Sequence, residues 1–155
     1  MPAPKSDPQR DELYWLEAEI NGWWTYSSAT TKELETLLNS ICLYYSVELP
    51  RFKVVRNRRW ADSAEYDPNT ETVTLNRSRE GANAMVLCHE CAHYITSCFY
   101  SHVEPHGKEF VAIYMHILDH FCFLPHRCFR MMAKSHRLKL ARRYRPKAFK
   151  TVRSR

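Results

Sequence analysis

The segment from Asn83 to Tyr100 constrains the fold more than any other part of the sequence, because it combines a helical apolar stripe with a row of ionisable side chains. Apolar residues and cysteines recur at spacings of three and four, which predicts a helix with one side packed in a core. These residues are Leu87, Cys88, Cys91, Ile95 and Cys98. The other side carries Val86, His89, Glu90, His93 and Ser97. The sequence therefore predicts a helix that joins the core on one side and presents polar groups on the other.

The polar side of this helix contains the sequence HECAH, in which His89 and His93 stand four residues apart. Residues at this spacing differ by about 40° around a helix axis, so both imidazoles can reach one metal ion. Zinc prefers nitrogen and sulfur ligands in a tetrahedral arrangement. Glu90 is displaced from His89 by about 100°, where its carboxylate can meet a zinc-bound water without being a ligand. The alternative is a helix with a solvated polar face, and the motif alone does not decide between the two.

A third metal ligand has to come from outside this helix. A metzincin site would need a glycine three residues and a histidine six residues past His93, but Thr96 and Phe99 occupy those positions. His106 ranks first, because it precedes a predicted helix and adjoins Gly107, which lets the backbone bend without a Cβ clash. The competing candidates are His102, Glu104 and Glu109.

The pattern of HECAH followed after 12 residues by HGKEF resembles the SprT-like (Spartan-type) zinc metallopeptidase family, which pairs HExxH with a downstream histidine in an HGxxF motif. The resemblance extends from about Leu34 to Phe121. It implies a zincin-like domain in which Glu90 activates water for peptide hydrolysis. The zinc ligands implied by the resemblance are His89, His93 and His106. The zinc-ribbon cysteines that some members carry near the C-terminus are absent here.

Periodic apolar residues predict helices on both sides of the HECAH segment. Spacing over 13–20 predicts a first helix, and the capping-box pair Thr30 and Glu33 precedes a second. The clearest amphipathic stripe runs from Phe110 to Phe121, and a last helix is expected from about His126 to Tyr144. The aromatic residues Trp15, Trp23, Trp24 and Tyr26 are interpreted as core residues rather than as a stacking surface for bases.

The region between the second helix and the HECAH segment predicts strands. Residues 51–58 alternate and are rich in β-branched side chains, and 63–78 reads as two short strands joined by a turn at 67–70. We expect a small antiparallel sheet whose strand at 71–76 is an edge that binds extended substrate. The fold class is thus α+β. The expected division is an N-terminal helix and linker at 1–30, a SprT-like metallopeptidase domain at 31–125, and a basic C-terminal helix and tail at 126–155.

Basic charge is concentrated at the C-terminal end of the chain. Residues 1–120 contain 11 Lys and Arg against 17 Asp and Glu, whereas residues 121–155 contain 12 Lys and Arg and no acidic residue. This asymmetry favours nucleic acid as a partner, and a solvated tail is the alternative. The candidate phosphate contacts are Arg130, Lys134, Arg137, Arg142 and Arg143.

The cysteines and the N-terminus predict a cytoplasmic protein with reduced thiols, because no apolar export signal precedes six cysteines. No apolar run approaches the roughly 20 residues that span a membrane. Cys88 and Cys91 are interpreted as core residues rather than as half of a zinc site with Cys122 and Cys128.

Taken together, these features predict a zinc-dependent peptidase acting on proteins at or near nucleic acid. Two alternatives remain open. A non-enzymatic nucleic-acid-binding protein would close its zinc site with a fourth ligand such as Cys98 or His102, and an interaction protein would bind zinc without turnover. His116 and His120 repeat the four-residue spacing without an adjacent glutamate, so a surface role or a role next to the ligands is expected for them.

Overall fold

The computed structural model describes residues 7–23 and 27–142, and within those ranges it contains five α-helices and three strands. The helices are α1 (Arg10–Trp23), α2 (Thr31–Tyr45), α3 (Ala84–Phe99), α4 (Lys108–Cys122) and α5 (His126–Ser135). The strands are β1 (Arg51–Val55), β2 (Ala64–Asp67) and β3 (Thr72–Asn76), with a 3₁₀ turn at Arg77–Arg79. The α+β fold class predicted from the sequence is confirmed.

Two helices begin at side-chain caps that the sequence encodes locally. The Thr30 hydroxyl accepts a hydrogen bond from the Glu33 N–H (3.2 Å), and the Glu33 carboxylate accepts one from the Thr30 N–H (2.7 Å), which confirms the capping box before α2. The Asn83 side chain accepts from the Val86 N–H at 3.0 Å and starts α3. These caps satisfy backbone N–H groups that a helix start leaves unpaired.

The three strands form one sheet in the order β1-β3-β2. The β2–β3 hairpin is antiparallel, with Tyr66 opposite Val73, but β1 runs parallel to β3. The expectation of an antiparallel sheet is therefore wrong for β1, because the chain crosses from one edge of the sheet to the other before β2 begins.

Strand β3 is central, so the expectation that residues 71–76 form an edge is also wrong. Val73 and Leu75 on β3 are fully buried. Helix α3 packs on β2 and β3 on one side and on α2 and α4 on others. The edge strand next to α3 is β2, which comes before β3 in the chain. The sequence predicted only the last strand before α3 as the edge.

Helix α5 ends earlier than the sequence predicted. It stops at Ser135 rather than near Tyr144, and Arg137 adopts a left-handed conformation with φ 59°. The Leu138 N–H then bonds back to the Ala133 carbonyl at 2.8 Å, and the Ala141 N–H bonds to the Lys108 carbonyl at 3.1 Å. Turning back buries the Leu138 side chain against the domain, which a continuing helix would expose.

Helix α1 contributes to the same core as the later helices through Leu13, Leu16 and Ile20, all fully buried. Trp15 on the opposite face is 68% exposed, so its assignment to the core is wrong. The predictions for Trp24, Tyr26 and the Trp23 side chain lie outside the described residues. Among the described helices, none has the length and apolar character needed to cross a membrane.

The connection between β3 and α3 depends on a close backbone approach at Gly81. A Cβ atom there would lie 1.8 Å from the Ser63 carbonyl oxygen, a backbone atom that cannot rotate away. The same stretch is held by Asn76, whose N–H donates to that Ser63 carbonyl at 2.8 Å and whose carbonyl accepts from the Gly81 N–H at 3.0 Å. This junction fixes the loop that leads into β2.

We predict that Gly81→Ala lowers the free energy of unfolding by about 1 to 3 kcal/mol, because the added methyl group must displace backbone. Gly22→Ala is the control, since nothing lies within 4 Å of a Cβ there. It should be neutral or stabilising by less than about 1 kcal/mol, as expected for alanine in a helix. Urea unfolding of both variants measures the difference, and equal midpoints would contradict the close-approach explanation.

Candidate metal centre

The first turns of α3 carry His89, Glu90 and His93 to the wall of a cleft beside strand β2. His89 and Glu90 are 8% and 7% exposed, and Cys88 and Cys91 on the other side of the helix are fully buried. The predicted core face is seen for Leu87, Cys88, Cys91 and Ile95, but the prediction is wrong for Cys98, which is exposed near the end of the helix. On the polar face His89 and Glu90 are buried as well. Buried ionisable groups persist only when they are paired with other groups or with metal ions.

His106 reaches the same place from the loop before α4. Its Nε2 atom lies 3.3 Å from the Nε2 atom of His89, which in turn lies 3.1 Å from the Nε2 atom of His93. The three candidate ligand atoms fall within 4.8 Å of one another, and this group can hold a metal ion. Three nitrogens at zinc-bond distances in a tetrahedron would be about 3.3 to 3.4 Å apart, and the two spacings from His89 Nε2 are close to that value.

The turn that delivers His106 depends on Gly107. The Gly107 N–H donates to the Glu104 carbonyl at 3.0 Å, and a Cβ at Gly107 would lie 3.1 Å from that carbonyl oxygen. The φ angle is −66°, so glycine is favoured here because it avoids a tight contact and not because the backbone is left-handed. The Gln9 side chain fixes the turn further by donating to the His106 carbonyl at 3.0 Å.

The competing third-ligand candidates lie outside the histidine group. His102 is exposed in a left-handed conformation with φ 62°. Glu109 lies near Lys108, with 3.9 Å between their charged atoms. Among the described residues, the group that can hold a metal comprises the three histidines without Glu104, Glu109, Cys98 or His102.

Glu90 lies next to the three histidines with its carboxylate in a desolvated position. Burial raises the pKa of Glu90 to about 7, against the opposing effects of His89 and of the Tyr66 N–H, which donates to the carboxylate. A cation held by the histidines would lower this pKa again and favour the ionised carboxylate. With a cation bound, Glu90 would therefore be a carboxylate able to accept a proton.

Two carboxylates that the sequence analysis missed contact the histidines from the N-terminal region. Glu17 Oε1 lies 2.6 Å from His89 Nδ1, and Asp7 Oδ2 lies 2.7 Å from His106 Nδ1. Burial disfavours a charged His89, but the Glu17 carboxylate outweighs it and raises the pKa of His89 to about 9. One signal was present in the sequence, because Glu17 follows Leu13 by four residues on the apolar face of α1.

The histidines without a raised pKa favour the neutral form that binds metals. Burial holds the pKa of His93 well below its usual value, and the charges of His89 and His106 lower it further. Burial also lowers the pKa of His106. A neutral imidazole offers one nitrogen lone pair, which is the form required of a ligand.

The centre opens onto a cleft on either side of His89 and Glu90. One cavity of about 560 Å³ extends past His93 toward Tyr100, and another of about 360 Å³ extends past Val86. Both are lined by Tyr14, Ala64, His89 and Glu90, together with Asp62. A groove along β2 therefore passes the centre, with the Tyr14 ring of α1 as its opposite wall.

The remaining cysteines and histidines occupy other positions. Cys88 and Cys122 are packed together in the core with sulfur atoms 3.5 Å apart, and Cys128 is partly exposed. His116 Nδ1 lies 3.0 Å from the Tyr45 hydroxyl, and the His120 ring is 4.4 Å from the Tyr44 ring.

The basic residues predicted to contact phosphate lie on or after α5. Arg130 and Lys134 are exposed on the helix, and Arg137 and Arg142 are exposed beyond it. Arg143 lies outside the described residues. Phosphate contact by these residues remains a prediction.

Comparison with protein families identifies the domain. A family model for SprT-like proteins matches residues 34–140. The chain belongs to the SprT-like family. Searches of curated proteins and of solved structures found no match to it. The SprT-like match includes the three histidines and Glu90 and ends after α5, whereas α1 and the carboxylates of Asp7 and Glu17 precede it.

We predict that His106→Ala removes most of the metal occupancy, because two histidines seldom hold an ion that prefers at least three protein ligands. His102→Ala is the matched control, since His102 is a nearby histidine outside the group. Zinc content after loading and desalting, measured by elemental analysis, compares the two. Full occupancy in His106→Ala together with loss in His102→Ala would contradict the assignment.

Proposed function

We propose that this SprT-like protein is a zinc-dependent metallopeptidase that cleaves an extended protein segment lying along β2. The observation that supports this most strongly is the convergence of three histidine Nε2 atoms, with Glu90 beside them, at an open groove. A catalytic zinc site has three protein ligands and an open position, whereas a structural site is closed by a fourth. The described residues supply three grouped ligands, which favours the enzyme over the zinc-stabilised binding protein.

Zinc bound by His89, His93 and His106 would supply Lewis acidity, lowering the pKa of a bound water and polarising the substrate carbonyl. Glu90 accepts a proton from the attacking water and passes it to the amine nitrogen as the peptide C–N bond breaks. The hydrogen bond from the Tyr66 N–H orients the Glu90 carboxylate for this transfer. The oxygen of the attacking water remains on the new carboxyl group, and the proton taken up by Glu90 leaves on the new amine.

Substrate binding is proposed at β2 instead of β3. The sheet order places β2 outermost, and its residues Ala64, Glu65 and Tyr66 line the groove beside His93 and Glu90. An extended peptide can add to such an edge through main-chain hydrogen bonds. The groove continues on both sides of Glu90, which suits cleavage within a chain more than removal of a terminal residue.

We predict that Glu90→Gln keeps zinc but reduces proteolysis by about 100-fold or more, since the amide cannot accept the proton. The substrate is casein or another unfolded protein, tested with and without DNA, and zinc content is measured on the same preparation. Glu35→Gln, on the exposed side of α2, should retain wild-type activity. Wild-type turnover by zinc-loaded Glu90→Gln would rule out this role, and a zinc-loaded wild-type protein that cleaves nothing would favour the interaction-protein alternative.

We also propose that nucleic acid binds the basic face of α5. Arg127, Arg130 and Lys134 follow one another at helical spacing and are exposed, whereas Phe129 and Ala133 on the other face are fully buried. The buried pair fixes the helix rotation, so the three cations form a stripe about 10 Å long. Sequence-independent phosphate contact is the chemistry that such a stripe supports.

Neutralising two of these residues tests the nucleic-acid proposal. The double variant Arg130→Gln/Lys134→Gln should weaken DNA binding and reduce the slope of log K against log salt by up to about 1.8, roughly 0.9 for each lost phosphate contact. Lys32→Gln on α2 is the control, because Lys32 is also an exposed basic residue on a helix but lies outside the stripe. An unchanged slope in the double variant would assign the stripe to solubility or to protein contacts.

A further inference from the structure

The N-terminal region contacts the metal centre through two carboxylates that lie outside the residues matched by the SprT-like family. Glu17 Oε1 is 2.6 Å from His89 Nδ1, and Asp7 Oδ2 is 2.7 Å from His106 Nδ1. Both acidic side chains are largely buried, with 16% and 20% of their surface exposed. The matched residues begin at 34, so Asp7 and Glu17 both precede them.

We propose that residues 7–17 form part of the metal centre, with Glu17 and Asp7 acting as positioning residues that hold His89 and His106 for metal binding. This inference rests on the proposed metal site at the three histidines. It assigns to the N-terminal region the role of setting metal affinity, in addition to packing on the core.

The hydrogen-bond chemistry of the pairs supports this role. An ionised carboxylate only accepts hydrogen bonds, so the proton of each neutral imidazole is placed on Nδ1. That choice leaves the lone pair on Nε2, which is the atom of His89 and His106 that points at the common centre. Each carboxylate therefore selects the metal-binding tautomer and fixes the ring orientation at the same time.

The negative charges of Asp7 and Glu17 also favour metal binding. A divalent cation bound by three neutral histidines would bring two uncompensated positive charges into a desolvated site. Asp7 and Glu17 supply two negative charges one imidazole ring away from that position. Their attraction for the cation is strengthened by the low dielectric of the buried site.

Helix α1 is held firmly enough for such positioning. Leu13, Leu16 and Ile20 are fully buried, and they flank Glu17 on the same face of the helix. Gln9 fixes the start of α1 by donating to the His106 carbonyl at 3.0 Å and by accepting a hydrogen bond from the Lys139 N–H. The position of Glu17 is thus set by the packed residues around it on α1, and the position of Asp7 by the Gln9 contacts that follow it.

The alternative is that the two pairs only dock α1 onto the domain. Glu19 provides a matched control for this reading, because it is on the same helix and its Oε2 lies 2.6 Å from His136 Nε2, the same length as the Glu17 pair. The Glu19–His136 pair joins α1 to the end of α5 and contains no candidate metal ligand. If the pairs only dock α1, loss of the Glu17 pair and loss of the Glu19 pair should have equal effects on zinc affinity. If Glu17 positions His89, loss of the Glu17 pair should weaken zinc binding more.

The test measures the zinc dissociation constant of the full-length chain by competition with a chromophoric chelator. Glu17→Gln and Asp7→Asn should each weaken zinc binding about 10- to 100-fold, as is typical when a partner of a ligating histidine is lost. An amide can also donate to Nδ1, which would place the imidazole proton on Nε2 and block the ligand atom. Glu19→Gln should keep the wild-type dissociation constant even if its melting temperature falls.

Wild-type zinc affinity in both Glu17→Gln and Asp7→Asn would overturn the inference, and so would an equal loss of affinity in Glu19→Gln. Asp7→Asn keeps the test decisive if Glu17→Gln does not fold, because Asp7 precedes α1 and its substitution leaves the apolar face of the helix intact. Failure of the proposed function looks different, since the wild-type protein would then bind no zinc or would cleave nothing when loaded. Zinc-binding, active wild-type protein with unaffected Asp7 and Glu17 variants would refute the positioning role alone.

Discussion

The convergence of three imidazole nitrogens, with His89 Nε2 within hydrogen-bonding distance of the Nε2 atoms of His93 and His106, is the constraint on which the rest of the structure depends. The Nε2 atoms of His89, His93 and His106 converge in a place where burial lowers the pKa of His93 and His106. Lone pairs directed at a common point repel unless a proton or a cation lies between them. Without a metal ion, a proton on His89, whose pKa is raised to about 9, offsets this repulsion. A bound cation would offset it for all three rings, and the surrounding elements hold the rings in these positions.

Helix α3 joins this centre to the hydrophobic core, because His89 and Glu90 are buried together with the apolar residues of the opposite face. Its apolar side packs on α2, α4 and the sheet, so the helix cannot rotate to release His89 and Glu90 to solvent. The hairpin of β2 and β3 lies beside it, and the buried side chain of Asn76 fixes the preceding loop by donating to the Asn57 carbonyl at 2.9 Å. Packing of α3 in the core therefore holds His89 and Glu90 in fixed positions, and preorganised groups of this kind are what an active site requires.

Strand β2, helix α1 and helix α5 contribute chemically different groups to the outer parts of the molecule. Strand β2 is an edge of the sheet, and α1 supplies carboxylates behind the histidines and the Tyr14 ring as a wall of the groove. The basic stripe on α5 lies on a helix whose packing to the core is set by Phe129 and Ala133. In the function proposed above, the substrate segment and the nucleic acid would contact separate elements, so the two binding functions would be independent.

The sequence by itself determined the features whose geometry is local. Spacing within one helix fixes the relation of His89, Glu90 and His93, and the HG turn places His106 at the start of α4, because helix periodicity and turn chemistry act over a few residues. Only the tertiary structure decided that β3 is central, that α5 ends at Ser135, and that α1 reaches the ligands. The carboxylate partners of His89 and His106 lie 72 and 99 residues away along the chain. No local pattern specifies such a pairing, because it depends on how the helices pack against one another, and that is set by the sum of side-chain contacts across the whole core.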